Sequence, residues 1–470
     1  MWNGGILPTM PPSEYRSLSL WHDTAGDDLT PRPPLTGDTD VDVAIIGAGY
    51  TGLWTAYHLA VADPGLRIVV IDKEIAGFGA SGRNGGWCSA LFPTSLKRMA
   101  VDRGRDGAVR MQRMLNETVP QVGRIAAAEG IDCHFDQGGS LSVARNAAQL
   151  ERIRAHVADY AAWGFGEDDH RLLDAAGVHE IAAVDGALGG SWTPHCAAIH
   201  PARLVRGLAR AVERRGVRIH EQTAATDVHS RHVATRHGTI RAEHVVLATE
   251  GYTATVAGRR RSLAPVYSLM TATAPLSDEV WAQIGLHDRA TFADNRHLVI
   301  YGQRTRDGRI AFGGRGAPYH YASKVAPAYD RDERVHATLR RVLVDLFPVL
   351  RDVEFTHSWG GNLGVPRDWY PAVRHDRRTG LAFAGGYVGD GVATSALAGR
   401  TLAAMIREDD PDDLGSLPWA GRTSRSWEPE PLRWLGVNAV TALMSAADRS
   451  ERRSGRPSRA AAAFWSAVGQ

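Results

Sequence analysis

A chain of 470 residues is too long for one simple core, and two domains are the fair expectation. Its 44% hydrophobic and 23% charged residues are ordinary for a globular protein, and no stretch approaches the ~20 apolar residues of a membrane span. A formal net charge of +2 gives no electrostatic reason to propose a nucleic acid partner.

Residues 1–10 have neither the basic region nor the sustained apolar run of a signal peptide. Residues 1–40 read as an extended N-terminal arm with a short turn at residues 19–23. Residues 41–52, VDVAIIGAGYTG, then read as a buried strand running into a glycine-rich turn. A helical pattern follows, and a second apolar run over residues 67–71 ends in Asp72. This is the pattern of a βαβ dinucleotide-binding unit. Gly47 allows the tight turn, Gly49 lets the backbone approach a pyrophosphate, and Gly52 lets helix and strand pack closely. Ala48, Tyr50 and Thr51 complete the turn. The helix N-terminus offers free N–H groups and partial positive charge. Asp72, followed by Lys73, stands about 20 residues beyond the last glycine, where an acid accepts from a ribose 2′-OH and disfavours a 2′-phosphate.

Residues 77–86 hold five glycines in ten (GFGASGRNGG). The bland reading is a flexible connection; the favoured one is a second backbone cradle for phosphate. Residues 96–129 read as helical, 132–143 as strands, 147–163 as helical and 184–192 as a hairpin-like piece. Pro201 opens an amphipathic helix to Arg215. Short strands form a meander around Val228, Val233 and Ile240, and residues 244–251 form another buried strand ending in Thr249, Glu250 and Gly251. From 265 to 359 the texture is β-rich, with strand candidates at 266–272, 298–301, 310–313 and 353–359 and a helix at 332–347. Residues 381–394 (LAFAGGYVGDGVAT) again read as strand, glycine turn and helix start. The tail beyond 418 carries Leu432, Leu435, Ala439 and Leu443 at helical spacing, followed by arginines.

Three cysteines, Cys88, Cys133 and Cys196, form no CxxC pair and no metal-ligand spacing, and there is no HExxH. No metal site is expected, and a reducing cytoplasm suits the thiols better than a disulfide framework.

In this order, GAGYTG, GFGASGRNGG and GGYVGDGV resemble the motifs of the FAD-dependent amine oxidoreductases of the D-amino-acid oxidase superfamily, in particular the subgroup carrying GASGRNGG. That subgroup includes γ-glutamylputrescine oxidases and proteins called aminophosphonate oxidoreductases. The resemblance implies an α/β fold: a discontinuous Rossmann-like FAD-binding domain (41–95, 197–260 and 372–410), an antiparallel β-sheet substrate domain with a helical cover (96–196 and 261–371), and a C-terminal helical tail (411–470). It implies FAD contacts from Gly47, Ala48, Gly49, Tyr50, Thr51, Gly52, Asp72, Lys73, Gly79, Ala80, Ser81, Arg83, Asn84, Gly85, Gly86, Ala225, Thr249 and Gly251. The last motif would add Gly386, Tyr387, Gly389, Asp390, Gly391 and Val392, near the N1–C2=O edge of the flavin, where a helix N-terminus stabilises developing negative charge. Relatives often have His where this chain has Asp390, so that acid is expected to point away or cap the helix. The Cys and His that bind flavin covalently in some relatives are absent from their positions, which implies non-covalent FAD, with Cys88 as a minor alternative.

The implied reaction is oxidation of the C–N bond of a small amine, amino acid or aminophosphonate, by hydride transfer to flavin N5 and hydrolysis of the imine. Electrons would pass to O₂ or to a quinone or other acceptor. Tyr267, Arg315 and Trp359 are the pocket candidates, with Tyr319 and His357 near them. Arg315, after Phe312-Gly313-Gly314, is the cation placed to hold a carboxylate or phosphonate. The tail is expected to dock on the FAD domain, with dimerisation or an anionic membrane surface as lesser alternatives. Two other readings stand beside this one: an NAD-dependent dehydrogenase on the same GxGxxG, and a flavoprotein without turnover.

Overall fold

The computed structural model describes residues 10–467. Its first sheet is built outward from the strand Thr39–Ile46, whose last four residues are all buried. Parallel neighbours on both sides explain the unbroken apolar run: Ile68–Ile71 on one side and Gly238–Leu247 on the other. The sheet continues through Leu381–Gly385, parallel to Gly238–Leu247, to an antiparallel edge strand Ala372–Asp376, and through Arg218–His220 on the other side. Strands far apart in the chain therefore end side by side. The meander strand at Ile240 and the buried strand at residues 244–247, read from the sequence as separate, are one ten-residue strand. Its N-terminal part pairs with His232–Thr235 and its C-terminal part with Leu381–Gly385.

The helix Tyr50–Ala62 is buried almost all round. It lies between this sheet and the helix Gly391–Arg407. The two helices approach so closely that a Cβ at Gly399 would lie 2.7 Å from Thr55 N and from the Trp54 carbonyl carbon.

The second sheet runs in the order Phe355–Val365, Ala264–Thr273, Ile310–Gly314, Ile300–Arg304, Thr291–Asp294, Ser140–Ala144, Gly189–Thr193, Arg171–Asp174. It is antiparallel except where Thr291–Asp294 meets Ser140–Ala144 in parallel. The expected antiparallel sheet is present, and its one parallel pair joins strands from two separate stretches of chain. The strand expected to end at Trp359 runs on through Gly360, Gly361 and Asn362 to Val365, paired along its length with Ala264–Thr273. The expected hairpin at 184–192 does not form. Gly189–Thr193 joins the second sheet, and Cys196–Ala198 pairs instead with Trp87–Ser89.

The N-terminal arm contains two short helices, Pro12–Arg16 and Leu20–Asp23, the second capped by Ser19. Tyr15, Leu20, Trp21 and Leu29 are all buried. Trp21 Nε1 donates to Asn84 O at 2.8 Å, so the arm braces the glycine-rich loop from behind.

The tail divides. Leu414, Leu417 and Trp419 pack into the core beside the first sheet. The long helix Leu432–Ser454 docks on the other half, correcting the expectation that the tail lies on the nucleotide side. Its polar groups are addressed there: Asn438 bonds the backbone of Tyr319, Asp448 accepts from the amides of His297 and Leu298, and Glu451 pairs with Arg152 and His297. Among the described residues no helix is long and apolar enough to cross a membrane.

Replacing Gly399 with Val forces the two buried helices apart and will cost about 1–3 kcal/mol, measured as a lower denaturant midpoint with an unchanged slope.

Candidate active site

A cleft opens at the C-terminal ends of the parallel strands, where α/β sheets bind ligands. Its walls bring together the glycine turn (Gly47, Gly49, Tyr50, Thr51), the acid at the end of the second strand (Asp72, with Lys73 and Glu74), the second loop (Gly79, Ala80, Ser81, Asn84) and residues 223–225. Thr249, Glu250, Gly251, Tyr252, Asp330, Asn362, Leu363, Tyr387, Gly389, Gly391 and Val392 also line it.

The first turn is fixed by contact. Gly47 has φ +110°, and a Cβ there would lie 2.5 Å from Ala248 O, so only glycine fits. Tyr50 N–H at the helix start donates to Ser81 Oγ at 2.8 Å, linking the two glycine loops. Asp72 accepts from the amides of Ala48 (2.7 Å) and Glu74 (2.9 Å), and burial pushes its carboxyl up to about 6. Thr51 Oγ1 and Tyr387 OH, 3.0 Å apart, join the first turn to the last.

The last turn is strained and held. Val388 takes φ +56°, a conformation costly for a β-branched residue. Arg315 Nη2 donates to its carbonyl at 2.6 Å. Glu250 accepts from the amides of Gly386 (2.8 Å) and Tyr387 (3.3 Å). Nearby Asn362 is 2% exposed, lines the cleft, and has neither Nδ2 nor Oδ1 bonded within the protein. A buried amide is rarely left so; its donor and acceptor suit a flat ring edge that offers both in return.

Comparison with known proteins agrees. Residues 42–405 match the family model DAO: FAD dependent oxidoreductase. The chain belongs to this family of FAD-dependent oxidoreductases. It is 30% identical over 420 residues to the gamma-glutamylputrescine oxidoreductase of Escherichia coli, covering 87% of this chain and 94% of that one. It is 30% identical over 400 residues to a probable oxidoreductase OrdL of Rhizobium meliloti, covering 82% and 87%. The fold is similar to that of glycine oxidase from Geobacillus kaustophilus, with a TM-score of 0.68 at 20% identity, covering 82% of this chain and all of that one.

Family membership makes FAD the cofactor, and the cleft fits it: glycine turns without side chains, helix N-termini at Gly49 and Asp390, and an unsatisfied Asn362. Of the residues expected to touch FAD, Ala48, Gly52, Arg83, Gly85, Gly86, Gly386 and Asp390 do not line the cleft. All but Asp390 have a structural reason to lie behind it. Gly52 lets its helix close on Gly47 O, Gly85 makes room for the Tyr301 ring, and Gln303 Nε2 donates to the carbonyls of Gly85 and Gly86. Ala48 and Gly386 give their amides to Asp72 and Glu250.

Arg83 was expected beside phosphate or the flavin edge. It is 2% exposed, donates to Asp330 (2.7 Å) and Tyr252 OH (2.8 Å), and lies 5.0 Å over the Phe78 ring. A guanidinium this buried needs an acid, and Asp330 supplies it. Arg83 therefore shapes the cleft through two residues of its wall. Asp390 occupies the cap position of the helix Gly391–Arg407, but its side chain makes no cap bond. Burial raises its carboxyl to about 6, and the nearby Arg315 pulls the other way.

Among the pocket candidates, Tyr267 is 1% exposed, accepts from Ala326 N–H at 3.4 Å, and does not line the cleft. Trp359, also 1% exposed, donates to Arg83 O at 2.9 Å and packs edge-on against Trp21. Tyr267 and Trp359 lie on two paired strands, Ala264–Thr273 and Phe355–Val365, on opposite faces of the sheet, and each is buried in a different apolar cluster. Tyr319 bonds Glu430 and Ser323 under the tail, and His357 bonds Asp23. Cys88 is buried away from the cleft.

Sequence reasoning missed Glu250, Tyr252, Asn362 and Asp330. Glu250 sits between Thr249 and Gly251, both expected to touch FAD, and Asn362 follows Trp359 by three positions in the same strand.

Burial raises the Glu250 carboxyl from 4.5 to about 7. The folded state therefore holds its proton more tightly than the unfolded chain, and that stabilisation is complete below about 4.5 and lost as pH rises through about 7. In unfolding midpoints of the apoprotein, wild type will lose stability relative to Glu250→Gln across this window; parallel curves would remove Glu250 as the titrating group. Asp330→Ala leaves Arg83 buried without an acid and will destabilise the fold by about 3–5 kcal/mol, read by chemical denaturation.

Proposed function

We propose that this chain binds FAD non-covalently and oxidises the C–N bond of a small amine, amino acid or aminophosphonate, giving an imine that hydrolyses. The observation that carries the reading is Asn362, a buried side chain with unpaired donor and acceptor in a cleft that also gathers all three glycine motifs. The names of the relatives support it, since they include a gamma-glutamylputrescine oxidoreductase and glycine oxidases. Bound FAD would supply the two-electron acceptor that side chains lack.

The protein's own residues do the positioning. Gly47, Gly49 and Ser81 would receive the pyrophosphate, and the lone pairs of Asp72 not taken by Ala48 and Glu74 would accept from the adenosine ribose. Glu250 and Arg315 hold the strained turn in place before any ligand arrives, so no reorganisation is needed at that wall. Asn362 would fix the orientation of the ring edge. We assign residues 41–95, 197–260 and 372–410 to the FAD-binding part, and 96–196 with 261–371 to the substrate part. An NAD-dependent reading is set aside because the matching family is FAD-dependent.

The test is the absorbance of the purified protein, before and after denaturation and then anaerobically with amines, amino acids and aminophosphonates. Flavin bands should leave with the supernatant after denaturation, and one substrate class should bleach them. Reoxidation on admitting air would mark an oxidase; its absence, with reoxidation by a quinone, a dehydrogenase. Flavin retained on the precipitate would overturn non-covalent binding, and bands that no amine bleaches would overturn amine oxidation.

A further inference from the structure

A second cleft, of about 870 Å³, lies between the helix Glu333–Leu346, the tail helix Leu432–Ser454 and the loop before Ile300. Its lining holds seven arginines against four acids. Each acid is already engaged. Asp294 pairs with Arg296 and Asp345 with Arg145, Asp448 accepts backbone amides, and Glu451 pairs with Arg152 and His297. Four of the remaining cations lack an acid. Arg334 and Arg341 share one face of the first helix, seven positions apart, and Arg449 and Arg452 share one face of the tail helix, three apart. Among the described residues none of these four has an acid partner; Arg341 and Arg449 bond only hydroxyls of their own helix.

Solitary surface arginines mean little. Here four converge from two helices about a hundred residues apart in the chain, across an opening floored by Ile300, Leu339 and Val342. The tail helix is not free to carry its charges away, because Glu451, 2% exposed, and Asp448 lock it to His297, Leu298 and Arg152. Repulsion among these cations is a cost of the fold that an anion would remove. The cleft also touches the flavin site. Arg315 lines it, yet its Nη2 bonds Val388 O and lies 3.3 Å from where a Cβ of Gly389 would be, and Gly389 lines the first cleft.

We propose that this cleft is a binding site for a small anion bearing two or more carboxylate or phosphate groups. Two sources have that chemistry: the acidic far end of an amine substrate, or a separate ligand. Only the first rests on the amine-oxidation reading.

The probe is citrate, titrated calorimetrically into the FAD-loaded protein at constant ionic strength, with chloride as control. Wild type should bind about one equivalent, and Arg341→Gln/Arg452→Gln should weaken binding at least about tenfold, as losing two charge-assisted contacts implies. Arg334→Gln/Arg449→Gln should do the same, whereas Arg236→Gln/Arg378→Gln, on exposed residues elsewhere, should not. The flavin spectrum should be unchanged in all three. Kinetics then separates the sources. A KM raised only for amines carrying a distal acid identifies the substrate's end; an unchanged KM with loss of a citrate effect on turnover identifies a separate ligand. Citrate binding that is absent, equal in wild type and cleft variants, or lowered as much by the control pair would overturn the proposal. Binding to anionic phosphatidylserine vesicles without citrate binding would overturn it too. Calorimetry needs no turnover, so failure of the amine-oxidation reading leaves this result standing.

Discussion

The architecture depends on one strand being paired in parallel on both sides. Thr39–Ile46 takes Ile68–Ile71 as one neighbour and Gly238–Leu247 as the other, and the second neighbour brings Leu381–Gly385 with it. Parallel strands point their C-terminal ends the same way, so every turn that leaves them opens on one edge. Turns belonging to residues 47–52 and 386–391 thereby become walls of one cleft, and the Thr51–Tyr387 hydroxyl contact is the local sign of it. With register set by buried apolar residues on both faces, a slip of one residue would misplace all of these turns together.

The walls of the first cleft are shaped largely by residues that never reach it. Arg83 ties Asp330 to Tyr252, Trp359 holds the Arg83 carbonyl, and Trp21 holds Asn84. This second layer joins the N-terminal arm, the glycine-rich loop and the second sheet through donors aimed at specific carbonyls and one acid. Such a layer suits a site that must present fixed dipoles to a large flat cofactor, because preorganised groups cost nothing to align when the ligand arrives.

Much of this was legible in the sequence, for physical reasons. Glycine turns after apolar runs declare themselves locally, since only a residue without a side chain can sit where Gly47 meets Ala248 O. Strand pairing also followed from continuous apolar runs such as 43–46 and 68–71. Less legible were the roles of polar residues, which depend on what the fold brings opposite them. Arg83 looked like a phosphate ligand until Asp330, 247 residues away, proved to be its partner. Trp359 and Tyr267 looked like pocket aromatics, but period two alone does not say which face of a strand meets the ligand. Asn362 carried no local signal, because its meaning is the absence of a partner.

The order of strands in the first sheet also has a consequence for biosynthesis. The strand that seats the last glycine turn, Leu381–Gly385, inserts beside Gly238–Leu247 only once the long stretch of chain between them has left the ribosome. Until then one edge of Gly238–Leu247 lacks its neighbour, and the cleft that Asn362 lines lacks Tyr387 and Val392. Completion of the cleft is therefore a late event in the life of the nascent chain, and the unpaired edge is a segment that needs shielding while it waits.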